Sequence, residues 1–315
     1  MSDVVVDDPL RAQAVLTPLP PFARPSIGHR AAPYALVGPL MLFLAVFTLL
    51  PSALILVFSF FNIDILAGTY RFIGLANFRK AISHGELLNS LKVTFLYILL
   101  TVPPSMVFGL LAALAIHALK RGAGFWRAVY FLPVAATLVA MSIVWRWMFL
   151  ANKGVVDLAL ERWTGLSDWL NSPALALPAV AIVGNWQQIG FVAILYLAGL
   201  ASVPKHVLEA ARVDGAGAWS RFWHVTWPSL GPTTVFAGII SSIGALRVFD
   251  TIATMTAGGP SQRTETLAYL MWQRGIYFFD IGGGAVVALV LLALALVATA
   301  IQRRMTARLE RAGSR

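Results

Sequence analysis

Residues able to do chemistry are sparse in this 315-residue chain, of which only 12% is charged. Its five histidines, His29, His84, His117, His206 and His224, lie far apart and form no metal-binding spacing. Cysteine is absent, which removes disulfides, thiol catalysis and thiolate metal sites. No G-x-x-x-x-G-K-[ST] run offers a phosphate cradle. A Ser–His–Asp grouping cannot be claimed from spacing, because such triads are defined by geometry. What remains are polar side chains set within apolar sequence, where burying them is costly and commonly functional. Asn185, Trp186, Gln187 and Gln188 interrupt one long apolar run, and Arg247 and Asp250 stand three apart in another. An aromatic face stacks on a sugar ring and side-chain amides bind its hydroxyls, the mixed lining of a small-molecule path. Asn and Gln equally serve to bond one membrane helix to another, and an Arg247–Asp250 pair on one helix face either lines a path or neutralises itself. Lys92 sits where it can snorkel to the surface. Arg146, between Trp145 and Trp147, fits an interfacial anchor or a pore residue equally well.

The elements that carry these residues follow from composition. The chain is 58% hydrophobic with a mean hydropathy of +0.76, against roughly 45–50% apolar in a soluble domain. That excess falls in six runs, near residues 34–61, 91–119, 128–149, 175–200, 230–252 and 281–301, each long enough for a membrane helix of about 20 residues. Pro39 and Pro51 lie in the first run and Pro103 and Pro104 in the second, where membrane helices tolerate them if neighbours satisfy the freed carbonyls. The fold expected is an all-α integral membrane protein with six transmembrane helices. Residues 1–32 read as a flexible tail, 33–304 as the membrane domain and 305–315 as a basic tail. The first thirty residues lack a compact apolar core followed by a small-residue cleavage site, so no cleaved signal peptide is expected. The net charge of +10 is explained by loop orientation rather than by nucleic acid. Fourteen Lys and Arg fall in the N-terminal tail, the second and fourth loops and the C-terminus, against seven in the opposite loops. The positive-inside rule then places both termini and the fourth loop in the cytoplasm.

That fourth loop, Pro204–Pro228, is polar, short and wedged between two spans. Pro204 can open a helix, and Gly215 and Gly217 can break it. Trp219, Phe222, Trp223 and Thr226 then recur at i, i+3, i+4 and i+7, one face of a second short helix. Lys205–Glu209 and Glu209–Arg212 have the spacing of local surface pairs, each worth a few tenths of a kcal/mol.

Glu209, Ala210, Ala211, Asp214, Gly215, Ala216, Phe222, Pro228 and Leu230 together resemble the "EAA" loop of membrane permeases in binding-protein-dependent ABC importers. FIGLANFRKAI, from Phe72, is similar to the family's F-x-G-L-x-N-F. The stretch Phe249–Leu267 is similar to the T-x-G-G-P region of the sugar-type branch, which includes maltose and glycerol-3-phosphate permeases. Ala257 replaces the first glycine of the usual T-G-G-G-P, and Gly282, Gly283 and Gly284 replace a Gly-aromatic-Ala run.

The resemblance implies a non-catalytic transport subunit in a bacterial cytoplasmic (inner) membrane, working by alternating access. It implies a coupling helix between spans four and five, docked through Glu209 and the two alanines on an ATPase. It also implies partners: a second homologous permease, two ATPase subunits holding ATP and Mg, and an extracytoplasmic solute-binding protein touched through Gly258, Gly259 and Pro260. The chain itself is expected to carry no cofactor. The implied cargo is carbohydrate-type: a sugar, oligosaccharide, polyol or glycerol-phosphate-like solute, with another small polar solute as alternative. An ion-gradient-driven transporter would be expected to show inverted repeats and several intramembrane carboxylates, whereas Asp250 alone sits deep. A membrane enzyme should converge catalytic groups in one cavity.

Overall fold

The computed structural model describes residues 37–313 except 66 and 120, and side chains as far as 307; the expected 1–32 tail lies outside the described residues. Two compact units meet between Ala53 and Leu54, within the apolar helix α1 (Val37–Phe58). In the first unit, residues 37–53 form an exposed apolar helix. Pro51 cannot supply an N–H, and the turn before it widens to a π-turn over Ala45–Leu49, a common adjustment beside a helix defect.

The second unit begins with a hairpin. β1 (Phe61–Asp64) pairs antiparallel with β2 (Thr69–Phe72), Phe61 opposite Phe72 and Asp64 opposite Thr69. The helix α2 (Ala76–Ser83) follows, and its buried Asn77 donates from Nδ2 to the carbonyls of Ser59 and Phe61, both at 2.9 Å. The asparagine of the FIGLANF motif therefore satisfies backbone that the hairpin leaves unpaired at its start.

Two long helices make the core: α3 (Glu86–Ala118) and α7 (Ala176–Ser202). Between them in sequence come α4 (Ala123–Ala135), α5 (Leu138–Met148) and α6 (Val155–Thr164). Pro103 and Pro104 lie inside α3. The Leu100 carbonyl, four residues before Pro104, loses its helical donor and instead accepts from Asn185 Nδ2 of α7 at 2.9 Å. Close approach of α7 to its neighbours depends on small residues, as is usual between membrane helices. A Cβ on Gly190 would collide with the Tyr130 carbonyl of α4, and one on Gly184 with the Tyr97 hydroxyl of α3.

The chain continues through α8 (Lys205–Val213), α9 (Ala218–Ser229), α10 (Gly231–Leu246), α11 (Asp250–Met255), α12 (Leu267–Trp272) and α13 (Ile281–Gly313). α1, α3, α7 and α13 are each long and apolar enough to cross a membrane. Two bent pairs bring the candidate spans among the described residues from four to as many as six: α4–α5 breaks by 95° and α9–α10 by 62°. The expected continuous third span is thus two helices hinged at Ala136 and Thr137, both in extended conformation. The fifth ends at Leu246 rather than near Ile252, and the last helix runs through residues expected as a tail.

Triple glycine at the start of α13 has a packing reason. A Cβ on Gly282 would strike Asn77 and the Phe61 carbonyl, and one on Gly284 would come within 2.7 Å of Gly275 Cα. A second anchor lies in the loop around α6. Asp157 is fully buried, and its carboxylate accepts backbone N–H bonds from Asn152 (3.0 Å) and Asp168 (2.9 Å). Both donors have left-handed backbones, with φ of 57° and 55°, so the carboxylate clamps two turns that sterics alone disfavour. Replacing Asp157 with Ala removes the acceptor of two partly buried N–H donors and is expected to cost about 2 kcal/mol, read as a lowered melting temperature of the purified protein.

Candidate functional site

The Pro204–Pro228 stretch folds as two helices about a glycine. Pro204, extended at ψ 125°, precedes α8, which ends at Asp214. Gly215 takes φ +77° in open space, with nothing within 4 Å of where a Cβ would stand. The Ala216 N–H closes the turn on the Ala211 carbonyl at 2.9 Å. Such a bond, spanning five residues around a left-handed glycine, is how many helices end. Arg221 donates to the Ala216 carbonyl at 2.6 Å and ties α9 back to the turn. Glu209, Ala210 and Asp214 are exposed, as is Val213. Glu209 makes no ion pair among the described residues, so neither local pairing with Lys205 or Arg212 forms. Phe222 instead joins a ring cluster with Trp219, Trp223 and Trp227.

The polar group in mid-span separates into two roles. Gln187, Gln188, Arg247 and Asp250 line one cavity of about 180 Å³, with Tyr97, Thr101 and Ser241. Gln188 Nε2 donates to Ser241 Oγ at 2.7 Å across to α10, and Gln187 Nε2 reaches the Pro133 carbonyl at 3.4 Å. Asn185 and Trp186 are not among the residues lining it. Asn185 bridges α7 to α3, while Trp186 meets Trp145 edge-on with centroids 5.7 Å apart. Arg247 and Asp250 do not pair, because the helix stops between them: Arg247 ends α10, Phe249 turns at φ −133°, and Asp250 opens α11. Arg146 donates to the Thr254 carbonyl at 3.3 Å, and Lys92 is exposed.

The TAGGP segment turns between α11 and α12. The Thr256 and Thr264 hydroxyls lie 2.8 Å apart, and Thr264 donates to the Gly259 carbonyl at 2.7 Å. Ala257 adopts φ 48°, a left-handed backbone that explains why glycine suits this position. Gly258 is buried under Tyr269, whereas Gly259 and Pro260 are half-buried and line a cavity of about 310 Å³ with Arg146, Asp168 and Asn171.

Just beyond it, the loop is stapled to the start of α3 by groups that sequence reasoning did not single out. Ser90 Oγ donates to Glu265 Oε1 at 3.0 Å, the Leu267 N–H to Thr94 Oγ1 at 2.9 Å, and Asn89 Nδ2 to the Gln262 carbonyl at 3.0 Å. Arg274 pairs with Glu86 and, at 3.6 Å, with Asp280. Burial pushes the Glu265 carboxyl above the usual range and Glu86 adds to this, while the Ser90 hydrogen bond and Arg274 oppose it. No spacing rule links these residues, which are about 175 positions apart.

A set of membrane-length helices that exposes a polar helix–turn–helix defines a multi-pass membrane protein. Residues 75–311 match the family described as binding-protein-dependent transport system inner membrane component, and the chain belongs to that family. It is a multi-pass ABC importer permease of the inner membrane, and not itself catalytic. It is 34% identical over 283 residues to the sn-glycerol-3-phosphate transport system permease protein UgpA of Agrobacterium fabrum (strain C58), covering 88% of this chain and 94% of that one. The sulfoquinovosyl glycerol transport system permease protein SmoG of the same organism is 33% identical over 282 residues, covering 89% and 91%. Among solved structures, a bacterial ABC transporter involved in the import of the acidic polysaccharide alginate has the same fold. It shows a TM-score of 0.73 and 23% identity, covering 89% of this chain and 98% of that one.

These contacts lead to two measurable outcomes. Gly258→Ala forces a left-handed alanine whose Cβ lies 2.7 Å from Tyr269 Cε1, and that ring is held between Phe249 and Trp272. It is expected to lose about 3 kcal/mol, against about 1 kcal/mol for Gly215→Ala, where only backbone strain applies; parallel thermal melts give the ranking. For Glu265, a folded pKa raised above the unfolded value contributes stability that is complete below the ordinary glutamate range and is lost as pH rises through the folded value. Glu265→Gln removes that loss, so its stability relative to wild type is expected to rise with pH across this window in melts at stepped pH.

Proposed function

We propose that this chain is the transport subunit for a small glycerol- or sugar-type solute bearing a negative group, imported at the expense of ATP bound with Mg on two partner ATPases. The observation that carries the reading is the α8–Gly215–α9 knob, whose Glu209 and Ala210 are exposed, Glu209 without an ion pair among the described residues. Glu209, Ala210, Ala211, Asp214, Gly215, Ala216, Phe222 and Pro228 form the ATPase-coupling surface. The knob lies on the cytoplasmic side, with both termini. A second homologous permease completes a heterodimer, and a solute-binding protein delivers cargo to the opposite face, touching Gly259 and Pro260 beside their cavity.

The solute passes along the cavity lined by Gln187, Gln188, Arg247 and Asp250, where the amides bind hydroxyls and Arg247 attracts the anion. Asn185 and Trp186 set the helix positions around that path. The named cargoes of the relatives, sn-glycerol-3-phosphate and sulfoquinovosyl glycerol, both join glycerol to an acidic group, which supports this class. Nucleotide binding draws the knobs together and opens the path outward.

The test is reconstitution of the chain with its cognate second permease, ATPases and binding protein in proteoliposomes. Uptake of glycerol-3-phosphate is expected to require ATP, and Glu209→Ala is expected to lower it about tenfold or more while the subunits remain assembled, equivalent to roughly 1.4 kcal/mol of coupling. Uptake that follows a proton or sodium gradient without ATP overturns the reading.

A further inference from the structure

α10 is short for a span. Its 16 residues, Gly231–Leu246, extend about 24 Å, whereas the hydrocarbon layer is about 30 Å thick. Ser241 meets Gln188 at mid-span, and the ten residues back to Gly231 cover about 15 Å, half of the hydrocarbon layer, so the residues just before Gly231 reach the headgroups. Those residues are the end of α9, inclined to α10 by 62°. Along α9, Trp219, Trp223 and Trp227 recur every fourth residue, with successive ring centroids 5.7 Å and 6.0 Å apart. Residues four apart share one helix face. Exposure falls along the stripe towards the span, from 75% at Trp219 to 44% at Trp223 and to half-buried Trp227. Leu230, at the start of α10, is fully buried.

The chemistry of the stripe matches a lipid–water boundary. Tryptophan concentrates there because its apolar body suits acyl chains and its indole N–H suits the polar layer. None of the three indole N–H groups has a hydrogen-bond partner among the described residues; the one indole there that donates within the protein is Trp169. α9 contains no acidic residue, and Arg221 and His224 fall between the tryptophans in sequence, so the segment carries no negative charge to repel phosphate headgroups.

We propose that Trp219, Trp223 and Trp227 seat α9 in the headgroup layer of the bilayer. The stripe is a membrane anchor at the base of the coupling knob, a role separate from that of Glu209 and Ala210, which α8 offers to the ATPase. It fixes the depth at which the knob stands, so that a push from the partner moves the spans rather than sliding the knob through the interface.

The test uses the assembled permease in nanodiscs of phosphatidylethanolamine and phosphatidylglycerol, labelled with 5-fluorotryptophan. Trp223→Phe and Trp227→Phe assign the two fluorine signals by their disappearance, so each variant keeps an aromatic ring in place. A gadolinium chelate carried on the lipid headgroup is expected to broaden both signals, with or without the ATPases, while the same chelate free in solution leaves them sharper than the Trp163 signal, assigned by Trp163→Phe. Trp163 is 88% exposed and serves as the solvent reference. Signals broadened as strongly as that reference by the free chelate overturn the proposal. So does shielding that develops only when the ATPases bind, since the stripe would then be part of the protein interface.

Discussion

The hydrogen bond between Asn185 of α7 and the Leu100 carbonyl of α3 fixes the register of the two helices at the core. Pro104 cannot donate to that carbonyl, and an unsatisfied carbonyl in hydrocarbon costs several kcal/mol. The deficit is made up from a neighbouring helix, so α7 has to lie at one height and one rotation against α3. Once that register is set, Gly184 meets Tyr97 and Gly190 meets the Tyr130 backbone, both with no space to spare. A proline and an asparagine 81 residues apart in sequence thereby determine where the remaining helices can pack.

α7 also joins the two candidate sites. Gln187 and Gln188 line the mid-span cavity, and α7 ends at Ser202, two residues from the proline that opens the coupling stretch. About 21 Å of helix separates Gln188 from that end. Cavity and knob are therefore two parts of a single element, packed through residues with little freedom: Gly199 rests against Thr233 and Leu230 of the next span. The Gln188–Ser241 bond ties the same pair of helices at cavity height.

The membrane helices were legible because twenty apolar residues have few fates other than a span. The knob was legible because a proline, a glycine and an amphipathic period each act locally, and Gly215 does take the left-handed backbone expected of it. The bend between α4 and α5 was not: Ala136 and Thr137 are neither glycine nor proline, and the break falls three residues past Pro133 rather than at it. Arg247 and Asp250 had helical spacing, yet the helix ends between them, since periodicity does not register a break lacking glycine or proline. Asp157 has no signature in the sequence because its value lies in two backbone donors brought to it by folding. Asn185 stood among candidates for solute contact, and its bond to α3 depends on the proline of another segment.

Consider lastly the length of α3. Its 33 residues extend about 50 Å, well beyond the hydrocarbon layer. Leu87 near one end packs with Leu267 and Leu270, while Ile116 near the other packs in the cluster that includes Leu230, beside the coupling stretch. Leu100, where α7 grips it, lies near the middle. A rod gripped at its centre behaves as a see-saw: a tilt of about 5° carries each end roughly 2 Å, in opposite directions. On that geometry, a rigid tilt of α3 about the Asn185 contact would displace its two ends in opposite directions.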